Sequence, residues 1–267
     1  MSHREESVEE SSSASAEHHP TAGVILIGNE LLSGKIKDEN AAFLAERLHE
    51  LGVTLERVLV IPDRVALIGD EVREMSARYD YVFTSGGVGP THDDVTLEGI
   101  GAAFNEPLEL NEELAEVLRG YFKEKLTDAH LRMARIPTGS TLIWPPESPW
   151  PVYSHHNVFI FPGVPSILRS KFNAIAERFR AARIYLRSVY LNVYEGEVAA
   201  ALESLEREHL VTVGSYPRTE PEMEHRVRVT IESRDARRVD DAVTALVTSL
   251  TASRGDDSIL RVDPTVS

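Results

Sequence analysis

The sequence predicts an open, mostly parallel α/β sheet covered by helices on both faces, followed by a small α+β unit. Three observations carry this. Strand-length apolar runs alternate with segments of helical period through roughly the first 180 residues. Three of the runs end in turns containing glycine that open into helices. Beyond Ile184 the order changes to strand, helix, strand, strand, helix.

Residues 1–20 are Ser, Glu and His with almost no apolar content, and are expected to be a disordered tail. Ala22 to Ile27 form the first apolar strand. A polar loop, Gly28-Asn29-Glu30-Leu31-Leu32-Ser33-Gly34-Lys35, leads to an amphipathic helix on which Phe43, Leu44, Leu48 and Leu51 recur, and Gly52 ends it. Leu55 to Ile61 read as the second strand, and Pro62 and Asp63 turn the chain into a helix over Val65 to Arg78. Tyr81 to Thr84 are the third strand. The loop Ser85-Gly86-Gly87-Val88-Gly89-Pro90-Thr91-His92-Asp93-Asp94 follows, then a helix over Val95 to Phe104, with Asp94 or Thr96 as candidate caps. Residues 105 to 135 read as helical, and Pro137 to Pro151 as irregular. Val158 to Phe161 form another strand. Pro162-Gly163-Val164-Pro165-Ser166 then opens a helix to about Ala181. The main domain is therefore expected over residues 21–182 and the α+β unit over 183–252, as a split βαβ sandwich. A polar, frayed tail is expected over 253–267.

Composition excludes several classes. A formal charge of -15 over 267 residues argues against a nucleic-acid partner, which needs a basic stripe. With no cysteine there are neither disulfides nor thiolate metal sites. No apolar run reaches membrane-spanning length, and the acidic, serine-rich start lacks the pattern of a signal peptide, so a soluble cytoplasmic protein is expected.

The chemistry concentrates where strands end. In open parallel sheets ligands lie at the carboxyl ends of strands. Amides in a strand–glycine turn–helix corner, with the positive end of the helix dipole, suit a phosphate. Gly86, Gly87 and Gly89 are expected to cradle one phosphate, with Ser85 and Thr91 adding hydroxyls; Gly163 and Ser166 form a second corner. Asp93 and Asp94 offer hard oxygens for a divalent cation (Mg, Mn or Co), or one of them a general base. Gly28 and Glu30 contribute the first loop, and Lys35 is the nearest cation. Each has a structural alternative: Asp94 as a helix cap, Glu30 bonded to backbone amides, Lys35 solvated. His92 reads as an exposed loop residue, His155 and His156 as strand-edge residues, and Trp144 and Trp150 as packing for their loop.

The Gly28-Asn29-Glu30-Leu31-Leu32 loop with Gly34 and Asn40, the Ser85 to Thr96 loop, and Phe161-Pro162-Gly163-Val164-Pro165 together resemble the molybdopterin-binding (MoaB/Mog-like) domain. Met133-Ala134-Arg135-Ile136-Pro137, Trp150-Pro151-Val152-Tyr153 and Val213-Gly214-Ser215-Tyr216-Pro217 are similar to the branch found in competence/damage-inducible protein A and at the N-terminus of eukaryotic FAD synthases. The resemblance implies a three-layer αβα fold, a small phosphorylated ligand (a pterin or a dinucleotide) and a homo-oligomer. It further implies metal-dependent pyrophosphate cleavage in FAD or ADP-ribose-like compounds. The alternatives are molybdopterin adenylylation in molybdenum-cofactor biosynthesis and a non-catalytic pterin- or nucleotide-binding module. Neither the amidase domain nor the FAD synthase domain that accompanies this unit in those branches lies within the 267 residues, so neither activity is expected of them.

Overall fold

The computed structural model describes residues 19–146, 148–218 and 224–266. The expected N-terminal tail falls almost wholly outside the described residues.

The main unit holds a six-stranded sheet. Its parallel part comprises β1 (Thr21–Ile27), β2 (Thr54–Ile61), β3 (Tyr81–Ser85) and β8 (Val158–Phe161). β7 (Val152–His155) runs antiparallel to β8, and β6 (Thr141–Ile143) runs antiparallel to β7 at the sheet edge. The order is β2-β1-β3-β8-β7-β6. Period-two alternation fixes which side chains meet which helices. Val24 and Leu26 of β1 face one core, and Ile25 and Ile27 the other. The first core is closed by α2 (Asn40–Glu50) and α7 (Pro165–Ile175), through Leu44, Leu48, Leu168 and Phe172. On the opposite face lie α3 (Val65–Arg78), α4 (Thr96–Phe104) and α5 (Glu112–Phe122), through Ile68, Val72, Ile100, Leu114 and Leu118. This is the expected three-layer arrangement. A short helix, α1 (Asn29–Leu32), sits in the loop after β1.

Two stretches of the main unit differ from the sequence expectation. Residues 105–135 are not helical throughout: β4 (Leu108–Leu110) pairs with β5 (Arg135–Pro137) around α5 and α6 (Asp128–Arg132). The stretch 137–151, expected to be irregular, contains β6, which pairs with β7 and extends the sheet at its edge. Both misses involve strands of three or four residues, too short for an alternation to register.

The second unit carries β9 (Tyr185–Leu191), α8 (Glu195–His209), β10 (Thr212–Pro217), β11 (Val227–Ser233), α9 (Ala236–Arg254) and β12 (Ile259–Val262). This β-α-β-β-α-β order, folded as an antiparallel sheet β10-β11-β9-β12, is the expected split βαβ sandwich. The segment after Arg254 does not fray. Residues 259–262 pair with β9, and Val266 bridges to Leu186. The two units touch through Arg234, which donates to the carbonyls of Ala182 and Gly52, and through His49 Nε2, 3.0 Å from Glu232 Oε2. Among the described residues no helix is long and apolar enough to cross a membrane.

Candidate functional site

β1, β3 and β8 are neighbouring parallel strands, so the loops that leave their carboxyl ends converge. They enclose a cavity of about 340 Å³ lined by Glu30, Lys37, Asn40, Ser85, Gly87 and Asp94, among others. Contact between the corners is close. A Cβ on Gly86 would lie 2.1 Å from the Ile27 carbonyl oxygen, and one on Gly163 would lie 3.4 Å from Gly86 Cα. Gly86 (φ 104) and Gly87 (φ 64) both occupy conformations that L-residues rarely adopt, and a Cβ on Gly87 would lie 2.3 Å from Thr96 Oγ1. The double glycine is thus demanded by the backbone before any ligand is considered.

Asn40, the first residue of α2, ties these corners together. It is 4% exposed, and its Nδ2 donates to Ser85 Oγ (2.9 Å) and to the Gly163 carbonyl (2.8 Å). Its Oδ1 is buried and makes no hydrogen bond among the described residues. Ser85 Oγ is therefore engaged as an acceptor, and the hydrogen of its hydroxyl is not used in that bond.

Hydrogen bonding separates the amides that remain open to a ligand from those already used. The Gly86 amide donates to the Phe161 carbonyl (3.1 Å), so the expected cradle of Gly86, Gly87 and Gly89 loses one donor; in the first loop the Gly28 amide donates to the Ile61 carbonyl (3.1 Å). The amides of Gly87, Val88 and Gly89 donate to nothing among the described residues. Thr96 begins α4, and its hydroxyl donates to the Gly86 carbonyl (2.8 Å). Neither Thr96 nor Asp94 caps the helix as expected: Val95 holds the capping position without a side-chain bond.

The two aspartates occupy different environments. Asp94 lines the cavity, and its Oδ2 accepts from the Thr91 amide (2.8 Å) and from the Thr91 hydroxyl. Asp93 is exposed at the rim and is not among the lining residues. The Thr91 side chain, followed by Asp93's own amide, holds the Asp93 carboxyl below its ordinary range. His92 is exposed, with Nδ1 3.9 Å from Asp93 Oδ1. Of the other expected residues, Glu30 and Gly163 line the cavity, whereas Lys35 and Ser166 are exposed and do not.

Sequence reading passed over three contributors. Lys37 lines the cavity where Lys35 was expected. Asp38 accepts from the Asn40 and Ala41 amides (both 3.0 Å) and so fixes the start of α2. Asp63, read only as a turn residue, accepts from the Asn29 amide at 2.8 Å and anchors the first loop. Its carboxyl is raised above the ordinary range, first by burial and further by the charges of Glu30 and Asp93. A carboxylate directly after Pro62 gives no sequence signal of lying near Asp93; only the fold brings them together.

Comparison with known proteins agrees with this geometry. Residues 23–181 match a family described as "Probable molybdopterin binding domain", and residues 183–256 match one described as "FAD synthase, middle domain". A protein of Archaeoglobus fulgidus is 37% identical over 196 residues, covering 73% of this chain and 85% of the relative. A probable FAD synthase of Caenorhabditis briggsae is 30% identical over 246 residues, covering 80% of this chain; the match spans only 46% of that longer protein. Among solved structures, the protein CinA of Thermoplasma acidophilum, described as of unknown function, is 32% identical with a TM-score of 0.55, covering 60% of this chain and 99% of its own.

Proposed function

The chain belongs to the molybdopterin-binding domain family, and from that membership we propose that it is a divalent-metal-dependent hydrolase of the pyrophosphate link in FAD or ADP-ribose-like dinucleotides. The single observation that carries this reading is the charge of the cavity. Glu30, Asp38, Glu39 and Asp94 line it against one lysine, Lys37. A doubly charged phosphate is repelled by such a wall unless a dication lies between them. Two of the four acids are already engaged, Asp38 by the α2 amides and Glu39 by Arg169 (2.7 Å). The Glu30 side chain and Asp94 Oδ1 make no hydrogen bond among the described residues. This all-oxygen donor set fits a hard cation. Glu30 and Asp94, with Asp93 at the rim, would hold a Mg-, Mn- or Co-class ion, which when bound neutralises charge on phosphate oxygens.

The chain's own groups do the rest. The open amides of Gly87, Val88 and Gly89 donate to one phosphate at the start of α4. Lys37 offsets further charge. Asn40 holds the Gly163 corner against the Ser85 corner, so the spacing between two phosphate positions is set before binding. Asp93, with its depressed pKa, is ionised near neutrality and is a weak base, so its part is to hold charge.

The test is AMP release from FAD and ADP-ribose with magnesium, manganese or cobalt. Wild type should release AMP only with metal, and Asp94→Ala and Glu30→Gln should each lower kcat/KM at least tenfold with unchanged circular dichroism. A protein inert on every dinucleotide that still binds molybdopterin is a binding module. Adenylylated pterin formed with ATP would select molybdenum-cofactor assembly.

A further inference from the structure

A second set of ligating groups lies at the opposite edge of the main sheet. Because β3 and β8 are parallel, the beginning of β8 is remote from the Gly86 and Gly163 corners. There β7 turns into β8 through His156 and Asn157, with His155 paired to Val158. His156 has φ 51, a conformation uncommon outside glycine, and the turn brings two consecutive imidazoles to 4.6 Å between ring centroids. Phe104, the last residue of α4, stacks on His156 (4.3 Å) and packs edge-on against His155 (5.0 Å). Two residues further on, Glu106 faces both rings. Its Oε2 is 3.3 Å from His155 Nε2, and its Oε1 is 3.4 Å from His156 Nε2.

His155 is only 2% exposed, and its Nε2 makes no aligned hydrogen bond among the described residues, although the carboxylate lies beside it. Its other nitrogen, Nδ1, is 3.2 Å from Ser140 Oγ. When Nδ1–H donates to Ser140 Oγ, the lone pair of the ring sits on Nε2, beside the Glu106 carboxylate but not aligned with it. A buried, unpartnered imidazole nitrogen is costly unless something occupies it. The three ligand atoms all lie within 4.8 Å of one another. Around a tetrahedral zinc, bonds near 2.0–2.1 Å put adjacent ligand atoms about 3.3 Å apart. Each imidazole nitrogen already lies at that distance from one oxygen of Glu106, His155 from Oε2 and His156 from Oε1.

We propose that His155, His156 and Glu106 bind one divalent transition-metal ion of the zinc class, with two imidazole nitrogens, one carboxylate and an open fourth position. Two imidazoles favour zinc or cobalt over the magnesium class. The fourth position lies on the side of the exposed His156 and is filled by water. The ion cross-links the end of α4 to the β7–β8 turn, fifty residues away in sequence. This site is independent of the dinucleotide reading and of the cation at Glu30 and Asp94.

The experiment strips the full chain with EDTA and titrates zinc against a chromophoric chelator, alongside thermal unfolding. One tight equivalent per chain is expected, with an upward shift in Tm. His156→Ala and Glu106→Gln should each weaken that equivalent at least tenfold. A His3→Ala/His18→Ala/His19→Ala variant, and Asp94→Ala, should retain it. X-ray absorption of the zinc-loaded wild type keeps the test open should a variant misfold, because the site requires two imidazole ligands. Absence of a tight equivalent, unchanged affinity in folded His156→Ala, or a zinc shell with fewer than two imidazoles overturns the proposal.

Discussion

Replacing Asn40 tests whether the three loop corners depend on one buried amide. Its orientation is fixed by chemistry: the Gly163 carbonyl can only accept, so the nitrogen must face it at 2.8 Å. Asn40→Ala removes two donors and orphans the Gly163 carbonyl and Ser85 Oγ, at about 1–2 kcal/mol each. The loss is partly offset because Asn40 Oδ1 is itself buried without a partner, and deleting it returns about 1 kcal/mol. The net cost is about 1–3 kcal/mol. Asn40→Asp keeps the shape but sets an acceptor against an acceptor and buries a charge, costing about 3–5 kcal/mol at neutral pH. Urea unfolding should therefore order the proteins wild type, Asn40→Ala, Asn40→Asp at pH 7. The gap between the two variants should narrow at acid pH as the introduced carboxyl takes up a proton. An Asn40→Asp protein that unfolds at or above the Asn40→Ala midpoint at pH 7 refutes the clamp.

Gly87→Ala must hold φ 64 and bring a Cβ within 2.3 Å of Thr96 Oγ1, so urea unfolding should report a loss of about 2–4 kcal/mol; Gly120→Ala in α5, where a Cβ meets nothing within 4 Å, should instead stabilise by about 0.5 kcal/mol, and equal effects would defeat the assignment. His49 has its pKa raised from 6.5, first by its hydrogen bond to Glu232 on the second unit. A raised folded-state pKa adds stability that is complete below the unfolded value of 6.5 and is lost as pH climbs through the folded value. Given the exposure of the pair, the contribution is about 0.3 kcal/mol, and Glu232→Gln should abolish that part of the Tm-versus-pH profile as pH rises above 6.5.

The fold was legible wherever an element was long enough to show its period. Val24 to Ile27 and Val158 to Phe161 announce buried strands, and Leu44, Leu48 and Leu51 announce the helix face that closes on them. β6 and β7 were illegible because three or four residues beside prolines carry no measurable alternation. β12 was missed for a different reason. Ile259 and Val262 pack against the core of the second unit while Leu260 and Arg261 between them are exposed, so its four residues show no period-two alternation.

The candidate site divides along a similar line. Residue type and strand ends located the corners, because glycine and helix starts are local properties. Which polar atoms remain open to a ligand is a property of the tertiary structure. Gly86 and Gly87 are adjacent and identical in sequence, yet one amide completes the sheet and the other faces the cavity. Lys35 and Lys37 are equally polar, but the turn after α1 spends the Lys35 amide on Glu30 and brings Lys37 to the cavity wall. Asp93 and Asp94 divide in the same way, since Thr91 takes Oδ2 of Asp94 and lowers the pKa of Asp93. A motif of paired acids therefore states where negative charge accumulates, and the loop decides which acid meets the ligand. On the proposed hydrolysis, Asp94→Ala is expected to lower turnover more than Asp93→Asn, because of the two only Asp94 lines the cavity; equal losses would mean that Asp93 contributes as much as Asp94 and that position on the wall does not decide the role.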